Sequence, residues 1–471
     1  MNVEQIYTGC LAQGAYYITS GGEAAIIDPL RETSPYMEKL QKDSVKLKYI
    51  FETHFHADFV SGHLDLSKKT NAPIVYGPNA NPEFESIITN DGDEFKVGDV
   101  TIKVLHTPGH TLESTTYLLR DENGNDHCIF TGDTLFLGDV GRPDLAQKAA
   151  HMTQDELAGL LYESLNNKIM PLADDVIVYP AHGAGSACGK NMMKETVDTL
   201  GNQKRLNYAL NQPNKEAFIK AVTDGLTPPP AYFGLNVAMN KQGYENFETV
   251  LNNGMRSFTP DEFEMAAENR NALILDTRSN KDFYKGFIPQ SINIGLDGDF
   301  APWVGSLIAD VKQPLLLVTD DGMEEEAITR LSRVGFDNIL GHLKGGFNAW
   351  LDAGKEADVV DRITPEQFAK EVNIKTDKIL DIRKESEYTA EHVWDAFNKP
   401  LAGINNWIND IDPEEHFYMH CAGGYRSMIA ASILQARGYR NFTEIEGGFK
   451  ALINTGVPKT NFVCQSKLMK A

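Results

Sequence analysis

Short runs of β-branched and aromatic residues alternate with turn residues along the first half of the chain. The runs are YYITSGGEAAIIDP, LKYIFETH, APIVYGP, VTIKVLHTPGH, HCIFTGDTLFLG and VIVYPAHG. Apolar runs bounded by Gly, Pro, Asn or Asp predict strands. TQDELAGLLYESLNNK and NMMKETVDTLGNQKRLNYAL carry apolar residues at helical spacing. The pattern predicts a layered α/β domain with helices over the outer sheet faces.

The second half contains an internal repeat. ALILDTRSNKDFYKGFIPQSINI matches KILDIRKESEYTAEHVWDAFNKPL, and RLSRVGFDNILGHLKGGFNAW matches ILQARGYRNFTEIEGGFKAL. Each copy predicts a small parallel α/β unit that ends in a Gly-Gly-Phe helix. We therefore predict three domains, residues 1–245, 256–356 and 362–471, with a boundary region that includes LTPPPAYFG.

Composition narrows the class of partner. Among 471 residues, 44 Lys and Arg stand against 66 Asp and Glu, a formal net charge of -22. This balance argues against a nucleic-acid or anionic-membrane partner. The sequence contains no apolar stretch of transmembrane length and no signal-peptide pattern, so we expect a cytoplasmic protein. Its five cysteines form no CxxC pair, so any that matters should act as a thiol; they are Cys10, Cys128, Cys188, Cys421 and Cys464.

Several predicted strands end in histidine or aspartate. Strand ends meet at one edge of a layered fold, which predicts that these side chains gather there. Imidazoles and carboxylates suit zinc, iron or manganese. A single histidine beside a strand is usually a satisfied polar residue, but the set in this order is a strong signal; its members are His54, His56, Asp58, His110, Asp133 and His182. Over residues 1–245 it resembles the metallo-β-lactamase superfamily, which implies an αββα sandwich.

The stretch FETHFHADFVSGH departs from that family at one position, because Phe59 stands where a second metal would need an imidazole. A phenyl ring has no lone pair to donate, so we expect one metal. The resemblance then sharpens to the persulfide dioxygenases, whose pattern implies one non-haem Fe(II) held by His54, His110 and Asp133, with zinc as the alternative. The same resemblance gives His56, Asp58 and His182 roles in orienting ligands or moving protons, or leaves them as inherited scaffolding.

Two further segments resemble the same branch. GDVGRPDL places Arg142 where a guanidinium could meet the carboxylate of a thiol cofactor, although a structural pair with Asp144 is a comparable alternative. HGAGSACGK places Cys188 six residues after His182, where it could carry sulfur near the metal or lie inert as a buried cysteine.

The second repeat copy contains FYMHCAGGYRSMIAASIL, in which a strand runs into Cys421, a Gly-rich loop and a helix beginning near Ser427. Backbone N–H groups of such a loop and the helix N-terminus stabilise a thiolate or persulfide anion, and Arg426 adds positive charge. The segment resembles the rhodanese family of sulfurtransferases, with LDIRKESEY and the closing GGF in support. The predicted sulfur-binding loop consists of Cys421, Ala422, Gly423, Gly424, Tyr425, Arg426 and Ser427.

The first repeat copy lacks this chemistry. Its segment LLLVTDDGMEEEAITRL has no cysteine, and Val318, Thr319 or Asp320 takes the position depending on one gap. Three glutamates replace the Tyr-Arg-Ser stretch and would repel an anionic sulfur. We read residues 256–356 as a degenerate rhodanese domain that serves as spacer or interface.

The whole chain resembles bacterial persulfide dioxygenase–rhodanese fusion proteins. That resemblance implies oxidation of a low-molecular-weight persulfide with O2 to sulfite and thiol. Sulfur transfer through Cys421 would then join sulfite to give thiosulfate, or run in reverse. Glutathione, coenzyme A or a similar thiol would carry the persulfide, and a homo-oligomer is expected.

Two alternatives remain at this stage. One is a two-metal thioester hydrolase of the glyoxalase II kind with a sulfur-binding tail. The other is a sulfur-carrier protein in which Cys421 hands sulfur to a partner and the metal domain is a remnant.

Overall fold

A computed structural model describes residues 1–463, which leaves Cys464 outside the described residues. This part of the chain forms two compact units. The first contains Met1–Phe247 together with Ser332–Gly335, and the second contains Glu248–Leu331 and the described residues from Phe336 onward. None of the described helices combines the length and apolar character that a bilayer-spanning segment needs. The exact limits of the three predicted domains stay a prediction.

The first unit is built on two six-stranded sheets. The first sheet has the order β1-β2-β3-β4-β5-β6, and its strands are β1 (Asn2–Thr8), β2 (Gln13–Ser20), β3 (Glu23–Ile27), β4 (Lys46–Phe51), β5 (Ile74–Tyr76) and β6 (Ile87–Ile88). The second sheet has the order β12-β11-β10-β9-β8-β7, and its strands are β7 (Glu94–Val97), β8 (Val100–His106), β9 (Thr115–Arg120), β10 (Asp126–Gly132), β11 (Ile177–Pro180) and β12 (Asp198–Thr199).

Helices connect or follow the strands of both sheets. They are α1 (Ser34–Asp43), α2 (His63–Thr70), α3 (Gln147–Ala150), α4 (Gln154–Ser164), α5 (Leu200–Leu206), α6 (Lys215–Thr223), α7 (Phe233–Gln242) and, at the unit boundary, α8 (Phe247–Gly254). Side chains of both sheets share one buried cluster that includes Phe51 and Phe130. Separate clusters join α1 and α2 to the first sheet and α4 and α6 to the second. The predicted αββα sandwich is therefore confirmed.

The two repeat copies in the second unit have the same topology. The first has the sheet order β13-β17-β16-β14-β15, with strands β13 (Ser257–Phe258), β14 (Leu273–Asp276), β15 (Ile292–Asn293), β16 (Leu315–Val318) and β17 (Ile339–Leu343). The second has the order β18-β22-β21-β19-β20, with strands β18 (Arg362–Ile363), β19 (Lys378–Asp381), β20 (Phe397–Asn398), β21 (Phe417–His420) and β22 (Phe442–Ile445). All pairings within both sheets are parallel, as the repeat predicts.

The helices of the two copies also correspond. The first copy has α9 (Pro260–Arg270), α10 (Asn280–Phe283), α11 (Phe300–Leu307), α12 (Glu324–Arg333) and α13 (Gly346–Asp352). The second copy has α14 (Pro365–Glu371), α15 (Glu385–Ala390), α16 (Ile404–Trp407), α17 (Tyr425–Ala436) and α18 (Gly448–Leu452). In both, a Thr-Pro pair opens the first helix, where the threonine side chain caps the N-terminus. The predicted small α/β units are confirmed.

Candidate metal centre and cysteine loop

The predicted metal ligands of the first unit follow the ends of different strands. His54 follows β4, His110 follows β8, Asp133 follows β10 and His182 follows β11. All four side chains are buried. One ligand atom from each of His54, His110 and Asp133 lies within 4.8 Å of the others. Strand ends therefore bring together the three residues that the sequence resemblance implies.

The gap between these three side chains has the character of a metal site. Asp133 Oδ2 lies 3.5 Å from His110 Nε2 and 3.9 Å from His54 Nε2. This buried oxygen has no hydrogen-bond partner among the described residues. A buried carboxylate oxygen is costly without a partner, and a cation bound between the three atoms would provide one. The donor set thus fits a divalent transition metal.

Neighbouring groups fix which nitrogen each histidine presents. The Thr53 hydroxyl donates to Asp28 Oδ2 at 2.8 Å, so its oxygen accepts from His54 Nδ1–H at 3.0 Å. The main-chain oxygen of Arg142 accepts from His110 Nδ1–H at 2.8 Å. Both rings therefore carry the proton on Nδ1 and direct the Nε2 lone pair at the gap, as metal ligands require.

Asp133 is held as a carboxylate by the imidazoles around it. Its Oδ1 accepts a hydrogen bond from His182 Nδ1 at 2.8 Å. Burial alone would raise the pKa of Asp133, but His182, His54 and His110 outweigh it and hold that pKa well below its ordinary value. The centre therefore keeps a negative charge for a cation to neutralise.

A second group of donors lies beside the first. Ligand atoms of Asp58, His182 and Cys188 lie within 4.8 Å of one another. Asp58 Oδ2 is 2.7 Å from His182 Nε2. Burial, with the charges of Asp58 and Asp133, raises the pKa of the Cys188 thiol. Cys188 is thus placed at the metal centre, where a bound cation would favour its thiolate.

His56 lies beside the ligand His54, with ring centroids 4.2 Å apart, and pairs with two buried carboxylates. Its Nε2 lies 3.1 Å from Asp28 Oδ1 and 3.3 Å from Glu52 Oε2. Burial opposes the charge, but these carboxylates outweigh it and raise the pKa of His56 to about 10. The Phe59 ring, which is fully buried, lies against the His56 ring with centroids 4.3 Å apart. The segment between β4 and α2, residues 52–62, is called the metal loop. An ion-pair cluster and an aromatic contact therefore hold this loop.

Sequence reasoning missed several residues that hold this loop. Asn240 on α7 donates to the main-chain oxygens of His56 and Phe59 at 2.8 Å each, and its Oδ1 accepts from Ser61 N–H at 2.9 Å. Glu52 contacts His56 and His63 and accepts from the Ser61 hydroxyl. Glu52 precedes the metal motif without a spacing that marks it as part of the site. Asn240 is 181 positions from Phe59 along the chain, so the sequence does not connect the two residues.

Arg142 forms an ion pair with Asp144, which was the structural alternative in the sequence analysis. Its Nε and Nη2 each lie 2.7 Å from a carboxylate oxygen of Asp144. Further bonds reach the main-chain oxygens of Ala187 and Thr227. Only 5% of Arg142 is exposed. Arg142 ties three loops together, and contact with a thiol carboxylate stays a prediction for this residue.

In the second unit, Cys421 directly follows β21 and opens the cysteine loop, residues 421–427. Gly424 N–H donates to Cys421 Sγ at 3.1 Å, and the Ser427 hydroxyl lies 3.4 Å from the same sulfur. Gly424 has φ +100°, which favours glycine, and caps α17. The helix begins at Tyr425, two residues before the predicted start, because Gly424 ends the loop. The buried sulfur thus faces an amide, a hydroxyl and a helix N-terminus.

The remaining loop residues have different surroundings. Ala422 is half-buried and accepts Lys450 N–H through its main-chain oxygen, whereas Gly423 is exposed. Arg426 forms a bidentate pair with Glu387 at 2.6 and 2.8 Å. The Tyr425 hydroxyl donates to the main-chain oxygen of Gly295, in the first repeat copy, at 2.8 Å. The first copy therefore supports the loop of the second.

The equivalent loop of the first copy carries opposite chemistry. Asp276 pairs with Val318 in the first copy, and the equivalent Asp381 pairs with His420 in the second. Val318 is therefore equivalent to His420, and the next residue, Thr319, occupies the position of Cys421. By the same count, Glu324 and Glu325 occupy the positions of Arg426 and Ser427. Carboxylates at these positions repel an anionic sulfur, and the degenerate character of the first copy stays a prediction.

Comparison with known proteins assigns both parts of the chain. Residues 8–182 match the family described as Metallo-beta-lactamase superfamily. Residues 259–353 and 364–455 each match the Rhodanese-like domain. These matches cover the sandwich and both repeat copies.

Several relatives share the first part. Persulfide dioxygenase ETHE1, mitochondrial, of Homo sapiens is 31% identical over 221 residues, which are 46% of this chain and 78% of that protein. Hydroxyacylglutathione hydrolase of Tolumonas auensis is 35% identical over 171 residues, which are 36% of this chain. The chain spans 60% of the length of that hydrolase. Relatives of both names therefore match the first unit.

One solved structure extends further along the chain. The structure named Metallo-beta-lactamase from Staphylococcus aureus subsp. aureus COL is 31% identical, with a TM-score of 0.65. It covers 73% of this chain, and the match covers 98% of that structure. The similarity therefore continues past the sandwich into the second unit.

Proposed function

Because the chain belongs to the metallo-β-lactamase superfamily and continues into two rhodanese-like domains, we propose that it oxidises a small-molecule persulfide and transfers sulfane sulfur through Cys421. The observation that carries the proposal is the set of three donors, His54, His110 and Asp133, beside a position where Phe59 replaces an imidazole. Two imidazoles and one carboxylate with open positions are typical of non-haem Fe(II) oxygenases.

One Fe(II) per chain is the proposed cofactor, with zinc as the alternative. Fe(II), when bound, supplies the redox chemistry through which O2 and a persulfide react. The protein holds the site ready: Thr53 and the Arg142 carbonyl keep the protons of His54 and His110 on Nδ1. His182 holds Asp133 Oδ1, which leaves Oδ2 as the free donor. All three ligand side chains are buried.

The proposed oxidation is RSSH + O2 + H2O → RSH + SO3²⁻ + 2H⁺. The outer sulfur loses four electrons, and one O2 takes them up. His182, which lies 2.7 Å from Asp58 and 2.8 Å from Asp133, is placed to exchange a proton with either carboxylate. Cys188 lies among the same groups, and we assign it a role in holding sulfur at this edge. The thiol is glutathione, coenzyme A or a similar carrier.

Sulfur transfer is proposed at the cysteine loop. Cys421 thiolate attacks the outer sulfur of RSSH, its Sγ forms the new S–S bond, and the thiol RSH leaves. The Cys421 persulfide then gives that sulfur to sulfite, which yields thiosulfate and regenerates the thiolate; the reverse direction uses the same groups. Gly424 N–H and the N-terminus of α17 stabilise the anionic sulfur throughout.

Anaerobic purification, metal analysis and O2 uptake on addition of glutathione persulfide test the proposal. We expect about one iron per chain and uptake by the wild type. Cys421→Ser should keep the uptake and release sulfite in place of thiosulfate, because only the second step needs this sulfur. Cys128→Ser is the matched control, since that buried cysteine lies in the sheet core and should leave both products unchanged.

Other results would assign the chain elsewhere. Two zinc ions per chain, no uptake and hydrolysis of acylglutathione thioesters would contradict the proposal and favour the hydrolase. Absence of O2 uptake from iron-loaded protein, together with sulfur transfer from Cys421, would favour the sulfur carrier. We also propose a cytoplasmic homo-oligomer, which light scattering of the purified protein tests for assembly.

A further inference from the structure

A buried carboxylate contacts the cysteine loop through Ser427. Glu444, on β22, has no exposed surface. Its Oε1 accepts the Ser427 hydroxyl at 2.6 Å, and its Oε2 accepts Arg362 Nε at 2.7 Å. Ser427 Oγ in turn lies 3.4 Å from Cys421 Sγ. Sulfur, hydroxyl and carboxylate thus form one continuous line.

The number of protons in this line limits what it can do. The Ser427 hydroxyl has one hydrogen, so it can donate either to Glu444 or to Cys421. If Glu444 is a carboxylate, Ser427 donates to it and accepts from the Cys421 thiol. If Cys421 is a thiolate, Ser427 donates to the sulfur and accepts from protonated Glu444. The two states differ only by the shift of two hydrogens along the line.

The first repeat copy shows that this line is not required by the fold. Ser257 pairs with His342 on the strands where Arg362 pairs with Glu444 in the second copy. Ser257 and His342 therefore take the positions of Arg362 and Glu444. Thr319 takes that of Cys421, and Glu325 takes that of Ser427. The three members of the line and the arginine that holds its carboxylate are thus all different in the copy that lacks the reactive sulfur.

We propose that Glu444 is the internal proton acceptor for Cys421, with the Ser427 hydroxyl as the relay. This inference rests on the proposed sulfur transfer at Cys421. The Cys421 S–H passes its proton to Ser427 Oγ while the Ser427 O–H proton moves to Glu444 Oε1. The thiolate then attacks, for example, thiosulfate: Cys421–S⁻ + S2O3²⁻ → Cys421–S–S⁻ + SO3²⁻. The proton stays on Glu444 while sulfur is loaded.

The charges around Glu444 suit this exchange. Arg362, from β18, holds Oε2 and leaves Oε1 for Ser427. Burial raises the pKa of Glu444 even though Arg362 and Ser427 lower it, and Glu446 adds a smaller repulsion. Arg426, which lies on the same helix as Ser427, is paired with Glu387. Glu444 is therefore a positioning residue that acts through Ser427.

The test is the rate at which iodoacetamide alkylates Cys421, followed by mass spectrometry of the Cys421 peptide from pH 5 to 10. This rate follows the fraction of thiolate. A lone thiol loses tenfold in rate per pH unit below its pKa. A pair that shares one proton titrates in two steps, so its rate changes by less than about threefold per unit across the shared range. We expect the two-step profile for the wild type.

Substitutions should convert the profile to a single step. Glu444→Gln removes the acceptor, and Ser427→Ala interrupts the line while leaving the Glu444–Arg362 pair intact, so it decides the matter if the first variant does not fold. Ser427→Thr keeps a hydroxyl and should restore two steps. Glu366→Gln, at an exposed carboxylate of α14 outside this cluster, is the matched control. A single step in the wild type, or the wild-type shape in both Glu444→Gln and Ser427→Ala, would overturn the inference.

The readout also separates this inference from the proposed function. Alkylation needs no sulfur donor, so its pH profile reports the relay even if Cys421 transfers no sulfur. Failure of thiosulfate-to-cyanide transfer by the wild type would count against the proposed function alone. When transfer is present, Glu444→Gln should change its pH profile in the same way, with O2 uptake unchanged.

Discussion

Replacement of Asn240 by alanine should weaken the loop that presents the metal ligands. Asn240 is almost fully buried and makes hydrogen bonds to the main chain at His56, Phe59 and Ser61. Each main-chain group left without a partner costs about 1 to 2 kcal/mol. Three such groups lower the free energy of unfolding of the first unit by roughly 3 to 6 kcal/mol. This is a large part of the total stability of an ordinary domain.

The distribution of tryptophan allows the two units to be followed separately. All four tryptophans lie in the second unit; they are Trp303, Trp350, Trp394 and Trp407. In urea titrations, far-UV circular dichroism reports both units, whereas tryptophan fluorescence reports the second. We expect Asn240→Ala to move part of the dichroism transition to lower urea, to leave the fluorescence midpoint unchanged and to lower the iron content.

A matched control is available on the same unit. Asn211 is exposed and donates one hydrogen bond, to the main-chain oxygen of Asn207. Asn211→Ala should therefore cost less than about 1 kcal/mol. Asn240→Asp keeps an acceptor for Ser61 but places carboxylate oxygen against two carbonyls, so it should be no milder than alanine. Asn240→Ala with wild-type unfolding and full iron content would refute the reasoning.

Three further predictions concern the ligands, the loop and pH. Asp133→Asn should lower iron to less than about a tenth of the wild-type content, because a neutral amide replaces the carboxylate, while thiosulfate-to-cyanide transfer stays intact; equal loss of both would contradict separate sites. Gly298→Ala should slow thiosulfate-to-cyanide transfer several-fold without affecting O2 uptake, because the added Cβ would lie 2.4 Å from the Tyr425 ring. Gly322→Ala is the control. Gly322 has open space around it but a φ of +82°, so this variant should lower stability and leave the transfer unchanged. Burial lowers the pKa of His420, so below about pH 6.5 this residue binds a proton more readily in the unfolded chain than in the folded one. The free energy of unfolding should therefore fall by up to about 1.4 kcal/mol for each pH unit of acidification below about pH 6.5. His420→Gln should flatten this dependence in urea unfolding followed by tryptophan fluorescence.

Much of the candidate site follows from the sequence because its residues end strands. His54, His110 and Asp133 each follow a strand of a layered sheet, so the fold itself brings them to one edge. The repeat likewise predicts two parallel units, and the strand register of the structure then shows that Thr319 occupies the position equivalent to Cys421. The placement at strand ends and the two repeat units need only periodicity and topology, whereas the choice of these three ligands comes from the family resemblance.

The sequence does not predict the contacts that hold these residues. Asn240 and Ser61 are 179 positions apart, and nothing in a single sequence indicates that they form a hydrogen bond. From the sequence alone, Glu444 is an ordinary residue of the predicted strand β22. Its role depends on Arg362 from a neighbouring strand and Ser427 from a helix. Such contacts depend on side-chain directions, which spacing along the chain does not determine.

The replacement of an imidazole by Phe59 is best understood together with His56. Phe59 has no donor atom, and the His56 ring lies beside that of His54 with centroids 4.2 Å apart. His56 is drawn to Asp28 and Glu52, and the Phe59 ring covers its face. A ring at position 59 therefore stabilises the ion-paired His56 as well as removing a donor. His54, His110 and Asp133 keep the donor atoms that the proposed iron site would use.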